Sequence, residues 1–510
     1  MINNFVKPHV VAVPFPALGH TIPLLDFAIS LASSGLAITC VTTAANALRL
    51  KLQMAHAFSS GLDIRLLVLP TPLVEGLPEG VESFDQVLPE HCGLIYDLVV
   101  KLEQPFNHWL EAQVEGMNHP VCIMHDVLLG WTMEVPQKHN ITRVVFNTYG
   151  AFALTLLRSA WLSASHNALE KEGDSILLSL DLPTPLRLHK HEIDTMLFDP
   201  LMLEVIGRLQ SLNQGGGMLI NTYEQLEPEY LQHLRNLTGK KVWSIGPVLP
   251  STCFGGAAKD SNRGKMVDIS EVKLFQWLDS QSSCSVVYIS FGSQIFLTEE
   301  QSKALASGLE ASGQPFIWAI KVSPKFEPRT SDTADLLDRT YLPEGFQERT
   351  RNRGLVIWGW APQLLILSHP SVGAFVSHCG WNSMLESVAL GVPLITWPIY
   401  ADQHFNSKLA IKLGIGIQIC QHRDGIPDKE RVKDGVTLVL SKEEGKEMKR
   451  GAEKLKKMAR EAVEFGGSSN VNLQDFAREM YQLHMTKTAA VRGESSKLTY
   501  CWINASEAPL

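Results

Sequence analysis

The sequence is poor in the signals that take a chain out of the ordinary globular class. Its eight cysteines (Cys40, Cys92, Cys122, Cys253, Cys284, Cys379, Cys420 and Cys501) show no Cys-x-x-Cys pair and no framework spacing. That excludes a disulfide-stapled scaffold and points to a reducing compartment. The start, MINNFVKPHVV, lacks the basic leader, apolar stretch and small-residue cleavage site of a signal peptide. No apolar run reaches the roughly 18–20 residues needed to span a bilayer. A cytoplasmic location with no membrane span is predicted, and the sequons at Asn140, Asn236 and Asn504 are read as chance. A basic stripe is missing too: the formal charge is −8, which argues against a nucleic-acid partner. The one basic run (Lys449, Arg450, Lys454, Lys456, Lys457) alternates with glutamates and reads as a solvated helix face. No GxGxxG follows any predicted strand, so a nicotinamide oxidoreductase is disfavoured. There is also no Asp-x-Asp pair anywhere in the chain.

What is present is an α/β pattern written twice. At 510 residues the chain has room for two domains. Val10–Phe15 reads as a strand, Thr21–Ala32 as a helix and Ala37–Thr43 as a strand, a βαβ unit that implies parallel pairing. Further strands are expected at Ile64–Leu69, Val121–Met124, Arg143–Phe146 and Met218–Asn221. At Ser251–Asp268 Gly, Ser, Lys and Asp replace the apolar periodicity, and the interdomain linker is placed there. The pattern restarts with strands at Ser285–Phe291, Phe316–Ile320, Val356–Trp358, Gly373–Val376 and Pro393–Thr396, and helices at Glu299–Ala311 and Ser383–Leu390. Pro324–Leu342 is expected to be a surface loop and Thr486–Leu510 a frayed tail. Two open sheets place a ligand crevice at the carboxyl ends of their strands, in the cleft between domains.

The most informative segment is Trp360–Gln403, WAPQLLILSHPSVGAFVSHCGWNSMLESVALGVPLITWPIYADQ. After the strand ending at Val376, the turn through His378, Cys379, Gly380 and Trp381 leads into a helix beginning at Asn382 and Ser383. Its free amides and dipole make an anion site suited to a diphosphate, and Gly380 lets the backbone approach closely. Glu386, four residues past Asn382, lies on the same helix face, where a carboxylate could grip vicinal ribose hydroxyls. A helix start of this kind can equally be no more than a cap. His20, in PFPALGH at the start of the first helix, is a candidate general base, since an unperturbed imidazole titrates near ~6.5. A lone histidine at a helix start is as readily a cap or surface residue. Asp126, in VCIMHDVLLGW, ends another strand at the same sheet edge and could orient His20. His125 would point to the opposite face. His189, His191 and Glu192 match no strong ligand pattern and read as solvent-facing.

The 44-residue segment resembles, without a gap, the signature box of plant family 1 UDP-glycosyltransferases, and the similarity extends from His9 to about Leu483. That resemblance implies the GT-B fold, two Rossmann-like doubly wound domains facing across a cleft. An acceptor-binding domain is expected at 1–250, a UDP-sugar-binding domain at 251–465, a returning C-terminal helix at 466–485 and a flexible tail at 486–510. It implies that Trp360 stacks on uracil and the backbone of Ala361 pairs with its edge, with Gln363 beside them. Glu386 would hold the ribose, while His378, Asn382, Ser383 and Ser293 would hold the phosphates. Trp381, Asp402, Gln403 and Thr148 would surround the sugar, and Gln403 at the end of the box looks like a glucose donor. The acceptor pocket would include Phe15, Leu18 and Tyr400, with Leu88–Leu94, Gly150–Leu154 and Met196–Leu203.

The same resemblance makes His20 and Asp126 the catalytic dyad of an inverting, metal-independent transfer from UDP-glucose to a hydroxyl of a small lipophilic acceptor, a flavonoid or other phenolic. No cofactor and no metal are expected, the UDP-sugar being a co-substrate, and a monomer is expected. The alternatives are another UDP-sugar, C-glycosylation of a phenolic ring, or a catalytically silent nucleotide-sugar-binding protein, against which His20 and Asp126 together speak.

Overall fold

The computed structural model describes residues 7–88, 91–115, 119–130, 138–165, 170–172, 175–193, 215–254, 263, 267–321, 331–420 and 425–492. Short apolar runs build its strands: β1 (His9–Val13, HVVAV) and β14 (Val372–Ser377, VGAFVS) are buried along their whole length. Strands covered on both faces carry such unbroken runs, and they pair in parallel.

The first sheet has seven strands. These are β1, β2 (Ala37–Thr43), β3 (Ile64–Leu69), β4 (Cys122–Asp126), β5 (Thr142–Asn147), β9 (Met218–Ile220) and β10 (Val242–Ser244). Their order is β10-β9-β5-β4-β1-β2-β3, all parallel. Between β5 and β9 lies a small antiparallel sheet of β6 (Glu170–Glu172), β7 (Ser175–Leu178) and β8 (Leu186–His189). The second large sheet uses β11 (Val286–Ser290), β12 (Phe316–Ile320), β13 (Gly354–Trp358), β14, β15 (Leu394–Thr396) and β16 (Gly416–Gln418). Its order is β13-β12-β11-β14-β15-β16, again parallel. The expected α/β class with two doubly wound sheets is therefore observed.

In each sheet the direction of winding reverses at one place, between β1 and β4 in the first and between β11 and β14 in the second. Loops leaving the carboxyl ends of strands diverge at such a point and open a crevice. The last helix, Ser468–Arg492, returns from the second sheet to the first. Its Phe476 is fully buried against Phe27 and Trp243, and Asp475 accepts the indole N–H of Trp243 at 2.9 Å.

Several expectations are corrected. Within Pro324–Leu342, Ser331–Tyr341 is a helix rather than loop, because Leu337 and Tyr341, one turn apart, bury against Trp358. The segment's acidic composition hides that pair. The last helix continues past Leu483 to Arg492, so the first residues of the expected tail are helical. Glu192 is buried, not solvent-facing, and pairs with Lys408 at 2.8 Å. Among the described residues no group of His, Cys, Asp and Glu is arranged to hold a metal. Met196–Leu203, residues 89–90 and most of Ser251–Asp268 lie outside the described residues. The basic run does lie on a solvated face, along helix Glu443–Val463, with pairs such as Lys449–Glu453 at 2.9 Å.

Candidate active site

Both switch points open into one cavity of about 630 Å³. The individually named candidates line it except Asp126, which is fully buried behind His20, whereas of the described residues in the expected pocket segments Leu88–Leu94 and Gly150–Leu154 only Cys92 and Leu154 reach the lining.

The first wall comes from β1 and β4. The chain leaves β1 through Pro14–Ala17 and enters helix Leu18–Ser33, which puts His20 in the first turn. Asp126 closes β4, the strand beside β1 across the switch point. Its Oδ2 lies 2.8 Å from His20 Nδ1, and its Oδ1 accepts the amide of Leu128 at 2.9 Å. A carboxylate offers only acceptors, so Nδ1 carries the proton and Nε2 is left with its lone pair. Thr148 Oγ1, 3.1 Å from the same Nδ1, steadies that edge of the ring. The imidazole is 14% exposed, enough to meet a ligand while remaining fixed. His125 is buried outside the cavity lining, its Nδ1 donating to the Asp126 carbonyl at 3.0 Å. Phe15, Phe84, Tyr96 and Tyr149 form an aromatic wall beside His20, with Phe15 5.4 Å and Tyr149 6.2 Å from its ring. Leu18 extends the same apolar lining.

The second wall comes from the loops after β11 and β14. Gly292, next to Ser293, has φ +73°, and a Cβ there would sit 2.7 Å from the His378 ring. A Cβ on Gly380 would approach the same ring to 2.5 Å, so the two glycines let the loops close around the imidazole. Burial pushes the His378 pKa down to about 4. The ring is therefore neutral near neutral pH and offers one N–H. Helix Trp381–Leu390 opens at Gly380 with no side-chain cap among the described residues, leaving its first amides and the positive end of its dipole facing the cavity.

The side chains of this helix divide their work differently from the sequence expectation. Asn382 Nδ2 donates to the Gly19 carbonyl at 2.6 Å, across the cleft and one residue before His20. Trp381 is buried and its Nε1 donates to the Asn221 carbonyl at 2.7 Å. Its indole packs so closely on Gly150 that a Cβ there would lie 2.7 Å away. These two side chains join the walls as well as lining the space. Ser383 Oγ and Glu386 Oε2 both receive the Gln363 amide, at 3.0 and 2.7 Å. Burial raises the Glu386 pKa, and Arg263 and Gln363 pull it back. The Trp360 backbone amide is anchored on Asp268 at 2.6 Å, and the Ala361 carbonyl accepts from the Gln363 backbone N–H at 2.9 Å.

The third segment is Tyr400–Gln403. Ala401 adopts φ +55°, a left-handed conformation that turns the chain into helix Gln403–Lys412. Gln403 Oε1 accepts the amides of Ile399 and Tyr400 at 2.9 and 3.1 Å, which aims its NH₂ elsewhere. Tyr400 donates to Gln294 Oε1 at 2.8 Å. Burial carries the Asp402 pKa up to about 6, with the Asn406 hydrogen bond and the nearby His20 opposing it. Asn406 Nδ2 reaches both Asp402 at 2.7 Å and the Cys379 carbonyl at 2.9 Å, pinning two loops together. Sequence reasoning missed Asn406, Asn221 and Arg263. Only Asn406 carried a signal, its place one helical turn after Asp402.

Two family profiles match the chain: "Glycosyltransferase, N-terminal domain" over residues 7–250 and "UDP-glucoronosyl and UDP-glucosyl transferase" over residues 229–432. Scopoletin glucosyltransferase of Nicotiana tabacum is 35% identical over 477 residues, covering 91% of this chain and 96% of its own. The crystal structure of Glycyrrhiza uralensis UGT73P12 complexed with glycyrrhetinic acid 3-O-monoglucuronide superposes with a TM-score of 0.83 at 30% identity, covering 97% of this chain and 99% of that one. Arabidopsis thaliana UGT89C1 complexed with UDP-L-rhamnose gives 0.72 at 30% identity over 93% and 100% of the two chains.

Proposed function

Starting from the fact that the chain belongs to the UDP-glycosyltransferase family, and so transfers a sugar from a UDP-sugar to a small acceptor, we propose that it makes β-O-glucosides of lipophilic phenols from UDP-glucose. The observation that carries this reading is the 2.8 Å contact of His20 Nδ1 with Asp126, set across one cavity from the uncapped start of helix Trp381–Leu390.

The chemistry follows from that placement. An acceptor hydroxyl against Nε2 of His20 gives up its proton as its oxygen attacks the anomeric carbon. The C1–O bond to the β-phosphate breaks as the new C1–O bond forms on the opposite face, and UDP leaves with the electron pair. Asp126 stabilises the imidazolium as it forms. The diphosphate charge is met by the helix amides, the His378 N–H and the hydroxyls of Ser293 and Ser383, so the step calls for no metal. Glu386 accepts the ribose hydroxyls and Trp360 covers the base. Asp402 and the Gln403 amide hold the sugar, and Gln403 supports glucose. The rings of Phe15, Phe84, Tyr96 and Tyr149 support a flat aromatic acceptor. Both walls come from one chain, which supports a monomer. Among the described residues seven cysteines are free and five of them are buried, which supports a cytoplasmic setting. No helix among the described residues is long and apolar enough to cross a membrane.

A second donor reading has its own support, because a similar solved protein is complexed with UDP-L-rhamnose. Mass-spectrometric assay of the purified protein, crossing a panel of phenols, triterpenoids and hormones with several UDP-sugars, tests both. The expected result is highest kcat/KM with UDP-glucose and a phenol, giving an acid-labile β-O-glucoside. A tenfold preference for another UDP-sugar, or an acid-stable carbon-linked product, would displace the proposal.

A further inference from the structure

Arg263 stands in the connection between the two large sheets, yet its guanidinium lies deep in the cleft. Its Nη1 is 3.2 Å from Glu386 Oε1, and its Nη2 pairs with the Asp26 carboxylate. The three side chains are only 10–12% exposed. Asp26 belongs to helix Leu18–Ser33, which also carries His20, and its other oxygen accepts the Gln53 amide at 2.7 Å. Glu386 belongs to helix Trp381–Leu390, and its other oxygen accepts the Gln363 amide at 2.7 Å. One guanidinium therefore joins the two helices that open onto the cleft.

Two buried carboxylates this close oppose each other's charge, and removing them from water raises the cost of ionisation. Burial and Asp26 push the Glu386 pKa up, and Arg263 is the strongest opposing influence. Burial also works against the Arg263 charge, but Asp26 and Glu386 together carry its pKa above the ordinary value. Cys253 and Tyr288 are the other titratable groups that feel this cluster, and burial pushes both their pKa values up, so they are neutral. A planar fork can face two carboxylates at once, where the ammonium of a lysine concentrates its charge at one point.

We propose that Arg263 is a positioning residue for the nucleotide, aiming Glu386 at the ribose and tying it through Asp26 to the helix that bears the base. This rests on the reading of Glu386 as the ribose carboxylate. Arg263 and Glu386 line the cavity and Asp26 does not, so a change at Asp26 reaches the nucleotide through Arg263.

The test is calorimetric titration of the full-length protein with UDP, beside thermal melting and donor kinetics, for Asp26→Asn, Arg263→Gln, Arg263→Lys and Glu386→Gln. Glu386→Gln and Arg263→Gln are expected to weaken UDP roughly tenfold to hundredfold. Asp26→Asn should weaken it less, about threefold to tenfold, and Arg263→Lys should restore part of the loss. Donor KM should rise more than kcat falls. In Arg263→Gln the loss of UDP affinity on acidification should set in at a higher pH than in the parent, because Glu386 then takes its proton more readily. Lower melting temperatures with parental UDP affinity in Asp26→Asn and both Arg263 variants would make the cluster merely structural and overturn the proposal. If Arg263→Gln fails to fold, Arg263→Lys and Asp26→Asn decide. Parental affinity in Asp26→Asn beside weak binding in both Arg263 variants would remove the tie to the first helix. Weak binding in Glu386→Gln alone would overturn the bridge and leave the donor reading standing, whereas parental affinity there would overturn the donor reading and the bridge with it.

Discussion

The two walls of the cleft are held by different forces. On the donor side, polar groups fix one another over short reaches: Gln363 on Ser383 and Glu386, Asn406 on Asp402 and the Cys379 carbonyl, Gln403 on the amides of Ile399 and Tyr400. On the acceptor side, Phe15 from the loop after β1, Phe84 from a 3₁₀ turn and Tyr96 from helix Cys92–Lys101 meet through their rings, 5.3–5.5 Å apart. A polar network leaves groups unpaired when the wrong ligand enters, at about 1–3 kcal/mol each. An apolar wall discriminates by shape alone and forgives more. On the proposed reading the contrast predicts that the donor wall discriminates among nucleotide sugars more sharply than the acceptor wall discriminates among acceptors. The dyad His20–Asp126 is the polar exception on the forgiving side.

Removing that exception should have the largest effect. His20→Ala is expected to lower transfer to a phenol by about 10²–10⁴-fold, with UDP affinity by calorimetry staying within about twofold, a scale well under that of a lost charged hydrogen bond. Parental turnover would take His20 out of the mechanism. Asp126→Asn should cost on the order of 10² in kcat. The amide can still accept from Leu128, but it can donate to Nδ1 and so leave the proton on Nε2, where the acceptor needs a lone pair. A variant that melts earlier yet turns over normally would reduce Asp126 to a structural role.

On the opposite wall the expected change is smaller and depends on pH. The Asp402 pKa stands at about 6 in the fold, above the ordinary aspartate value. The folded protein therefore keeps this proton between roughly pH 4 and 6, where the unfolded chain has lost it. The sign is that this carboxyl favours folding increasingly as pH falls through that window and opposes folding above it. For the ligand the consequence is reversed, since on the proposed reading protonation removes the charge that would hold the sugar hydroxyls. The Kd of UDP-glucose, measured without acceptor, should rise by up to about tenfold from pH 7 to 5, while that of UDP, which has no sugar, changes less. Asp402→Asn should flatten the difference. Parallel curves for the two ligands would take Asp402 away from the sugar.

How far this contrast was legible in the sequence follows from the same physics. Both sheets could be read because HVVAV and VGAFVS are unbroken apolar runs, as strands covered on both faces require. The donor wall could be read because its parts lie in one stretch, so spacing alone puts Glu386 below Asn382. The dyad spans 106 residues and was reachable because Asp126 ends its strand where His20 opens the helix that follows the neighbouring strand, at the same sheet edge. Three features were hidden. Arg263 sits among the polar residues that mark a linker, and its partners Asp26 and Glu386 belong to different domains. Trp381 bonds to a backbone carbonyl of Asn221, which has no side-chain signature. Asn382 reaches the Gly19 carbonyl only because of how the halves face one another, a relation that local pattern does not encode.

The smallest expected effect is on the forgiving wall and asks whether it forgives. Phe84 opens a short 3₁₀ turn held behind the ring by other contacts, its own amide on the Pro16 carbonyl at 2.9 Å and Ser83 Oγ on Asp85 at 2.6 Å. Phe84→Leu keeps those contacts and an apolar side chain while deleting the ring edges that meet Phe15 and Tyr96. An aromatic pair is worth about 0.5–1.5 kcal/mol beyond its buried area. Acceptor KM for flat phenols should therefore rise roughly twofold to tenfold, alicyclic acceptors should move less, and donor KM should stay put. If donor KM moved in step with acceptor KM, the walls would be mechanically one and the contrast between them would fail. If flat and alicyclic acceptors weakened equally, the ring set would be acting as bulk, and the choice of a planar aromatic acceptor would lose its support.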